Sequence, residues 1–435
     1  MGREGLERLL AVGLAAVDAG DAVGRHVHRD PDRTLQVAGE GLPAEVPITL
    51  LAAGKAAVPM ARAFVGAAGA QVVRGLVVSK DGHGGDAGGL PVRECGHPVP
   101  DARSEAAGRE ALALAAAAEA AGALVVLLSG GASALLACPA SGLRLADLAV
   151  TTDLLLASGA AIDELNAVRK HLSALAGGQL ARAFTGDAIR VLAVSDVPGD
   201  RLDVIGSGPC TGDPTSFADA ARILGSRGLE PRLPAAVREH VEAGLRGERP
   251  ETPGPEDESL IGVRARIVAR NADALLAVAE AARAQGLRVE VDPVALSGEA
   301  RDAARGVVAR ARAAAGGDSL LWLAGGETTV SFDRAGRGGR NQELALAAAL
   351  EVAGDERVAL LAAGTDGSDG PTDAAGAFVD GGSVVRGASR NADARDALER
   401  HDSYTFWQAE GGLLRTGPTG TNVMDVVFIS LGGSS

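Results

Sequence analysis

An α/β fold in two domains is what this chain predicts, on three observations. Short runs rich in Val, Leu and Ile recur, each closing on small residues and followed by helix-like spacing of Ala, Leu, Glu and Arg: ITLLAAGKA, ALVVLLSGGAS, IRVLAVSDVPGD, LLWLAGGETT and VALLAAGTDGSDG. Runs that are apolar throughout suit parallel strands covered by helices on both faces, and the repetition of strand, turn and helix is the α/β signature. The chain has 435 residues, more than the roughly 250–300 at which a single core stops growing. Finally GERPETPGPEDES, residues 247–259, is dominated by Pro and acidic residues and reads as a linker. The expected domains are therefore 1–246 and 260–435.

The elements follow in order. MGREGLERLLAVGLAAVDAG carries Glu4, Glu7 and Asp18 among apolar residues, which suits an amphipathic helix and not a signal peptide. ITLLAAGKA ends on Gly54-Lys55, yet no Walker loop is present, because the earlier glycine and the following Ser or Thr are missing. His97, in CGHPVPD, has no companions that would make a triad or a metal set, and a structural role is expected of it. The uncharged run 120–143 is long enough to span a membrane, but SGGAS and CPASG break it into strand, turn and short helix. Within it Ser129, Gly130, Gly131 and Ser133 follow a strand. Glycines there let backbone N–H groups converge on phosphate or carboxylate, although a plain tight turn would have the same composition.

IDELNAVRKHLSALAGGQLARAF has helical spacing, and Asn166 stands three and four positions before Arg169 and Lys170. One face can present an amide and a cation, or can simply be solvated. SDVPGD sets Asp196 on a turn after a strand. GRGGRNQELALAAAL delivers Arg340, Asn341 and Gln342 to a helix start, where an arginine fork suits carboxylate or phosphate and a surface position is the plainer reading. In GTDGSDGPTDAAGA, the three carboxylates Asp366, Asp369 and Asp373 crowd one turn. The spacing is not that of an EF-hand; Mg²⁺ shared with substrate phosphates fits it, and so does the local hydrogen bonding that Asp favours in turns. The tail LGGSS is expected to fray.

Composition removes several classes of function. A net charge of −14 argues against a nucleic-acid or anionic-membrane surface, so an anionic ligand must meet a local basic pocket. Cys95, Cys138 and Cys210 form no CxxC pair, which argues against zinc and disulfides and for a reduced, cytoplasmic setting. Only Lys55, Lys80 and Lys170 are lysines among 42 basic residues. Where Arg otherwise replaces Lys, a surviving lysine is a candidate for a compact ammonium or a tunable pKa.

Taken together, GK at 54–55, GHPVPD at 96–101, LLSGGASALL at 127–136, NAVRKHLS at 166–173, SDVPGD at 195–200, GSGP at 206–209, GGETTV at 325–330, GRGGRNQE at 336–343, GTDGSDGPTDAAGA at 364–377 and TGPTGTNVMD at 416–425 resemble the type II glycerate kinases in order across nearly the whole chain. The resemblance implies an N-terminal Rossmann-like doubly wound domain and a C-terminal MOFRL α/β domain with a mixed sheet, the active site lying in the interdomain cleft. It implies a cytoplasmic enzyme, monomer or homodimer, that uses ATP and Mg²⁺ to phosphorylate D-glycerate at the 2-hydroxyl. Lys55, Arg340 and Asp196 are then the expected catalytic residues. Ser129, Gly130, Gly131, Ser133, Asn166, Arg169, Lys170, Glu327, Asn341 and Gln342 would bind substrate or nucleotide, and Asp366, Asp369 and Asp373 the metal. Family members often carry HLSAIKGGRLA where this chain has HLSALAGGQLA, with Ala176 and Gln179. Two other readings stay open: a hydroxypyruvate reductase, against which the absent dinucleotide fingerprint counts, and a sugar-acid-binding protein without catalysis.

Overall fold

A computed structural model of the chain describes residues 1–331 and 336–432. It divides into two compact units, one of residues 19–268 and the other of residues 1–18 with 269–435. The expected linker therefore lies inside the larger unit, and the chain passes between units at residues 268 and 269. The reason is packing: Thr252 is buried and donates to Asp213 Oδ2 at 3.0 Å, and the Asp213 amide donates to the Pro253 carbonyl at 2.8 Å. The opening helix α1, Arg3–Ala16, belongs with the C-terminal residues, because Leu6, Leu9 and Leu10 share a core with Leu275 and Val278. Most of the tail, residues 433–435, lies outside the described residues. Among the described residues no helix is long and apolar enough to cross a membrane.

In the larger unit six strands form one sheet: β1 Ile48–Ala53, β2 Val72–Lys80, β3 Val92–Cys95, β4 Ala123–Leu128, β5 Ala188–Val194 and β6 Val263–Ala269. Their order is β3-β2-β1-β4-β5-β6, with β1 parallel to β2 and β4, β2 to β3, and β4 to β5. This is the doubly wound order, in which the direction of winding reverses between β1 and β4. Both of those strands are buried at every position, as central strands covered on both faces must be. Helix α2, Ala57–Ala68, follows β1, while α3, Leu145–Ala157, and α4, Ile162–His171, stand between β4 and β5 in the chain. A separate antiparallel sheet of three short strands, Val27–Arg29, Leu35–Val37 and Glu40–Leu42, completes the unit.

The smaller unit has a mixed sheet of β7 Val289–Val291, β8 Leu320–Gly326, β9 Val358–Gly364, β10 Gly376–Asp380, β11 Leu413–Leu414 and β12 Asp425–Leu431, in the order β7-β8-β12-β9-β10-β11. β7 and β8 are parallel, while β12 runs antiparallel to both β8 and β9. Alternation divides the core between the two faces. Trp322, Leu360 and Ile429 pack toward α6, Ala300–Ala315, and α7, Arg340–Glu351; Leu323, Leu361 and Phe428 pack toward α1 and α5, Asn271–Ala284.

Gly54, at the end of β1, has φ +129°, and a Cβ there would stand 2.1 Å from Ser129 Oγ. Gly66 lies exposed in α2 with open space around it. Gly54→Ala should lower stability in urea by about 3 kcal/mol or more, from backbone strain plus the collision. Gly66→Ala should raise it by about 0.5–1 kcal/mol through helix propensity. An unchanged midpoint for Gly54→Ala would mean that the turn is not fixed as described.

Candidate functional site

The predicted site residues fall on both units. In a doubly wound sheet, ligands bind beyond the carboxyl ends of the strands where the winding reverses. Here that point lies between β1, which ends in Gly54-Lys55, and β4, which ends in Ser129-Gly130-Gly131. Backbone and hydroxyl hydrogen bonds lock the two turns together. The Ser129 amide donates to the Ala53 carbonyl at 2.9 Å, the Lys55 amide to the Gly130 carbonyl at 2.9 Å, and the Ala56 amide to Ser129 Oγ at 3.0 Å. Ser129 is fully buried, and its hydroxyl holds the lysine turn in place. Gly131 has φ +87°, and a Cβ on it would meet the His97 ring at 2.8 Å, so His97 is a wall of this loop. Ser133 shares a 2.8 Å hydrogen bond with Ser207, a residue of the GSGP motif that sequence reasoning did not assign to the site. Asp196, half-buried, follows β5 on the same edge of the sheet.

Helix α4 separates the residues expected to act together. Lys170 is buried, with its ammonium 3.6 Å from Asp203 and 3.5 Å from the fully buried Asp213. The residue expected to bind ligand thus has its ammonium between two carboxylates, which anchors the helix. Arg169 points elsewhere, into the wall of a cavity of about 440 Å³. It has no hydrogen-bond or ion-pair partner among the described residues, and burial lowers its pKa. One turn earlier, the buried Asn166 Nδ2 has no hydrogen-bond partner either. Two donors three residues apart on one helix thus lack an acceptor. Ala176 lines the same cavity.

On the smaller unit, register brings the ends of three strands to one residue. Asp425 begins β12 opposite Gly326 of β8 and Gly364 of β9. It is buried and takes Arg340 in a fork, Nε to Oδ2 at 2.6 Å and Nη2 to Oδ1 at 2.9 Å, while Glu327 takes Nη1 at 2.6 Å. Burial alone would lower the pKa of Arg340, but Asp425, Glu327 and Asp369 outweigh it and raise it above the ordinary arginine value. The glycines before Arg340 permit close approach: a Cβ on Gly336 would meet the Arg400 carbonyl at 2.2 Å, and one on Gly339 the Asp369 carboxyl at 2.3 Å. Asp425 went unassigned in the sequence. Its signal was an aspartate opening an apolar run, where a buried charge demands a cation.

The three carboxylates expected to hold a metal are not brought together. Asp366 accepts from the Ser368 amide and hydroxyl. Asp369 accepts from the amides of Asn341 and Gln342 and so caps the start of α7. Burial pushes its pKa up to about 6 against those donors. Asp373 is held by Tyr404 at 2.7 Å and Arg415 at 2.9 Å, which lower its pKa. Among the described residues no three His, Cys, Asp or Glu could hold one metal ion. Asn341 and Gln342, also expected to bind ligand, are buried; Asn341 Nδ2 donates to Asp369, and Gln342 Nε2 to the Asp369 carbonyl and Thr372. They brace the Asp-rich turn.

A glycine turn bearing a lysine at the switch point, and an arginine fixed at a convergence of strand ends, are the features of these two α/β units with which the following likenesses agree. Residues 5–242 match the family described as Domain of unknown function (DUF4147), and residues 320–425 match the MOFRL family. A glycerate 2-kinase of Pyrococcus horikoshii is 40% identical over 97% of this chain and 95% of its own, and a D-glycerate 2-kinase of Thermotoga maritima is 39% identical over 88% and 90%. A protein of Agrobacterium vitis, provisionally named a hydroxypyruvate reductase, is 39% identical over 99% and 94%. The crystal structure of glycerate kinase from Thermotoga maritima superposes with a TM-score of 0.81 at 35% identity, covering 99% of this chain and 100% of that one. The chain belongs to the glycerate kinase family built from DUF4147 and MOFRL domains.

Asp425→Asn keeps the shape of the clamp but removes the charge that fixes Arg340. The expected result is a fall in kcat of about 100-fold, the scale of a small misplacement of a positioning group. Steady-state kinetics showing an unchanged kcat would make the clamp purely structural.

Proposed function

We propose that this chain is a glycerate 2-kinase that transfers the γ-phosphoryl group of ATP to the 2-hydroxyl of D-glycerate, giving 2-phospho-D-glycerate and ADP. The observation that carries the reading is Lys55, on a turn fixed between β1 and β4 where a doubly wound sheet receives its ligand.

Phosphoryl transfer asks the protein mainly for positioning and for charge around the moving group. The 2-hydroxyl oxygen bonds to the γ-phosphorus as the bond to the β,γ-bridging oxygen breaks, and ADP leaves with that electron pair. Lys55 is assigned the γ-phosphoryl oxygens, and Arg340 is the second cation of the reaction. Asp196 accepts the hydroxyl proton. The glycines of the 129–131 loop offer backbone N–H groups to substrate oxygens. Mg²⁺ enters as part of the MgATP substrate, coordinated by its phosphates with few protein carboxylates. Among the described residues no group of three His, Cys, Asp or Glu could hold an ion, and no step is assigned to a resident one. The free, buried Cys95, Cys138 and Cys210 support a cytoplasmic setting, and the partners are small molecules, with the chain a monomer or homodimer.

Phosphorus NMR of the protein with ATP, Mg²⁺ and D-glycerate should show 2-phosphoglycerate. In Lys55→Ala the rate should fall by about 10³-fold. A 3-phosphoglycerate product would move the attacking hydroxyl. No phosphoryl transfer, with oxidation of NADH by hydroxypyruvate instead, would overturn the kinase reading.

A further inference from the structure

The cavity beside Arg169 lies wholly within the larger unit. Its walls are mainly aliphatic, with Pro98 and Pro100 from the loop after β3, Leu148 from α3 and Leu172 just past α4. Its volume of about 440 Å³ falls in the usual range for sites of drug-sized ligands, about 300–1,000 Å³. Glycerate is small and carries an oxygen on every carbon, and burying its hydroxyls against leucine and proline would leave them without partners. The occupant therefore needs a substantial apolar body as well as an anionic group.

The polar groups are distributed to suit one such molecule. Ser133 and Ser207 line the cavity next to the glycine turn at the switch point. Arg169 supplies a guanidinium that has no acid to neutralise it among the described residues. Asp153 of α3 lines the cavity while staying exposed, and it too has no partner among the described residues. A carboxylate at the mouth suits a vicinal diol, as in ribose recognition by doubly wound domains. Aliphatic walls suit the apolar faces of a purine.

We propose that this cavity is the adenosine subsite for ATP, with the purine against the aliphatic walls, the ribose diol on Asp153 and a phosphate on Arg169. The proposal rests on the kinase reading for its choice of nucleotide. It goes further in assigning the base a place of its own, and in giving Arg169, expected to bind substrate or nucleotide, to the nucleotide.

The test is calorimetric titration of the full chain with three probes: the β,γ-imido analogue of ATP, adenosine, and inorganic tripolyphosphate. Wild type should bind the analogue tightly and adenosine more weakly. Ala149→Trp, on the cavity wall of α3, should raise the Kd of both at least tenfold and leave tripolyphosphate unchanged. Arg169→Met should weaken the analogue and tripolyphosphate but not adenosine, and Arg169→Lys should restore part of the loss. Ala149→Leu serves as the smaller filling if the tryptophan variant does not fold. Adenosine that fails to bind wild type, or an unchanged Kd in a folded filled variant, overturns the proposal. So does a filled variant whose KM rises for D-glycerate and not for ATP, because the cavity would then hold the acid. Analogue binding that responds as expected, without phosphoryl transfer to glycerate, would overturn the kinase reading and keep this one.

Discussion

The larger unit depends on the join between the turns after β1 and β4. Parallel neighbours leave their carboxyl ends side by side, and at the reversal of winding no helix crosses the gap between them. Three hydrogen bonds close it, from the amides of Ser129, Lys55 and Ala56. Each contributes only about 1 kcal/mol net. Their geometric effect is larger, because they leave Lys55 and the 129–131 glycines no independent freedom. The sequence requirement is equally local: Gly54 has no room for a Cβ beside Ser129.

A different constraint organises the smaller unit. Asp425 is buried at the start of a central strand, and a carboxylate taken out of water is costly unless it is paired in good geometry. Arg340 meets it with a two-point fork, which a lysine could not form. The loop carrying Arg340 must then press against the backbone at Arg400 and against Asp369, which is why glycine stands at 336 and 339. Flexibility is not what the glycines of the GRGG run supply; they supply close approach where a side chain would collide.

Much of this was legible in the sequence, because apolar runs ending in small residues specify buried strands and the turns after them. The glycine and lysine turns were visible for that reason. What was hidden depends on tertiary packing. Residues 247–259 have the composition of a linker, yet Thr252 and Pro253 are bonded to Asp213 within the larger unit. The Asp-rich turn invited a metal, and each of its acids proved to have a private partner: a local serine amide, the start of α7, and the Arg415–Tyr404 pair. Aspartate's capacity for short-range hydrogen bonds accounts for Asp366; Asp369 and Asp373 meet partners distant in sequence, which only the fold brings near. Asp425 escaped notice because a single acid before an apolar run shows its importance only when register sets it opposite two other strand ends.

The scarcity of lysine separates two kinds of cation. Lys170 sits between Asp203 and Asp213 with its side chain almost fully covered, a space that suits a compact ammonium better than a planar fork. By anchoring α4 there, it fixes the direction in which Arg169 projects one residue earlier. Adjacent residues on a helix lie on different faces, so one cation is spent within the fold and the next is left with no carboxylate partner among the described residues. A guanidinium buried at a cavity wall without a carboxylate partner is costly to keep, and an anionic ligand would satisfy it.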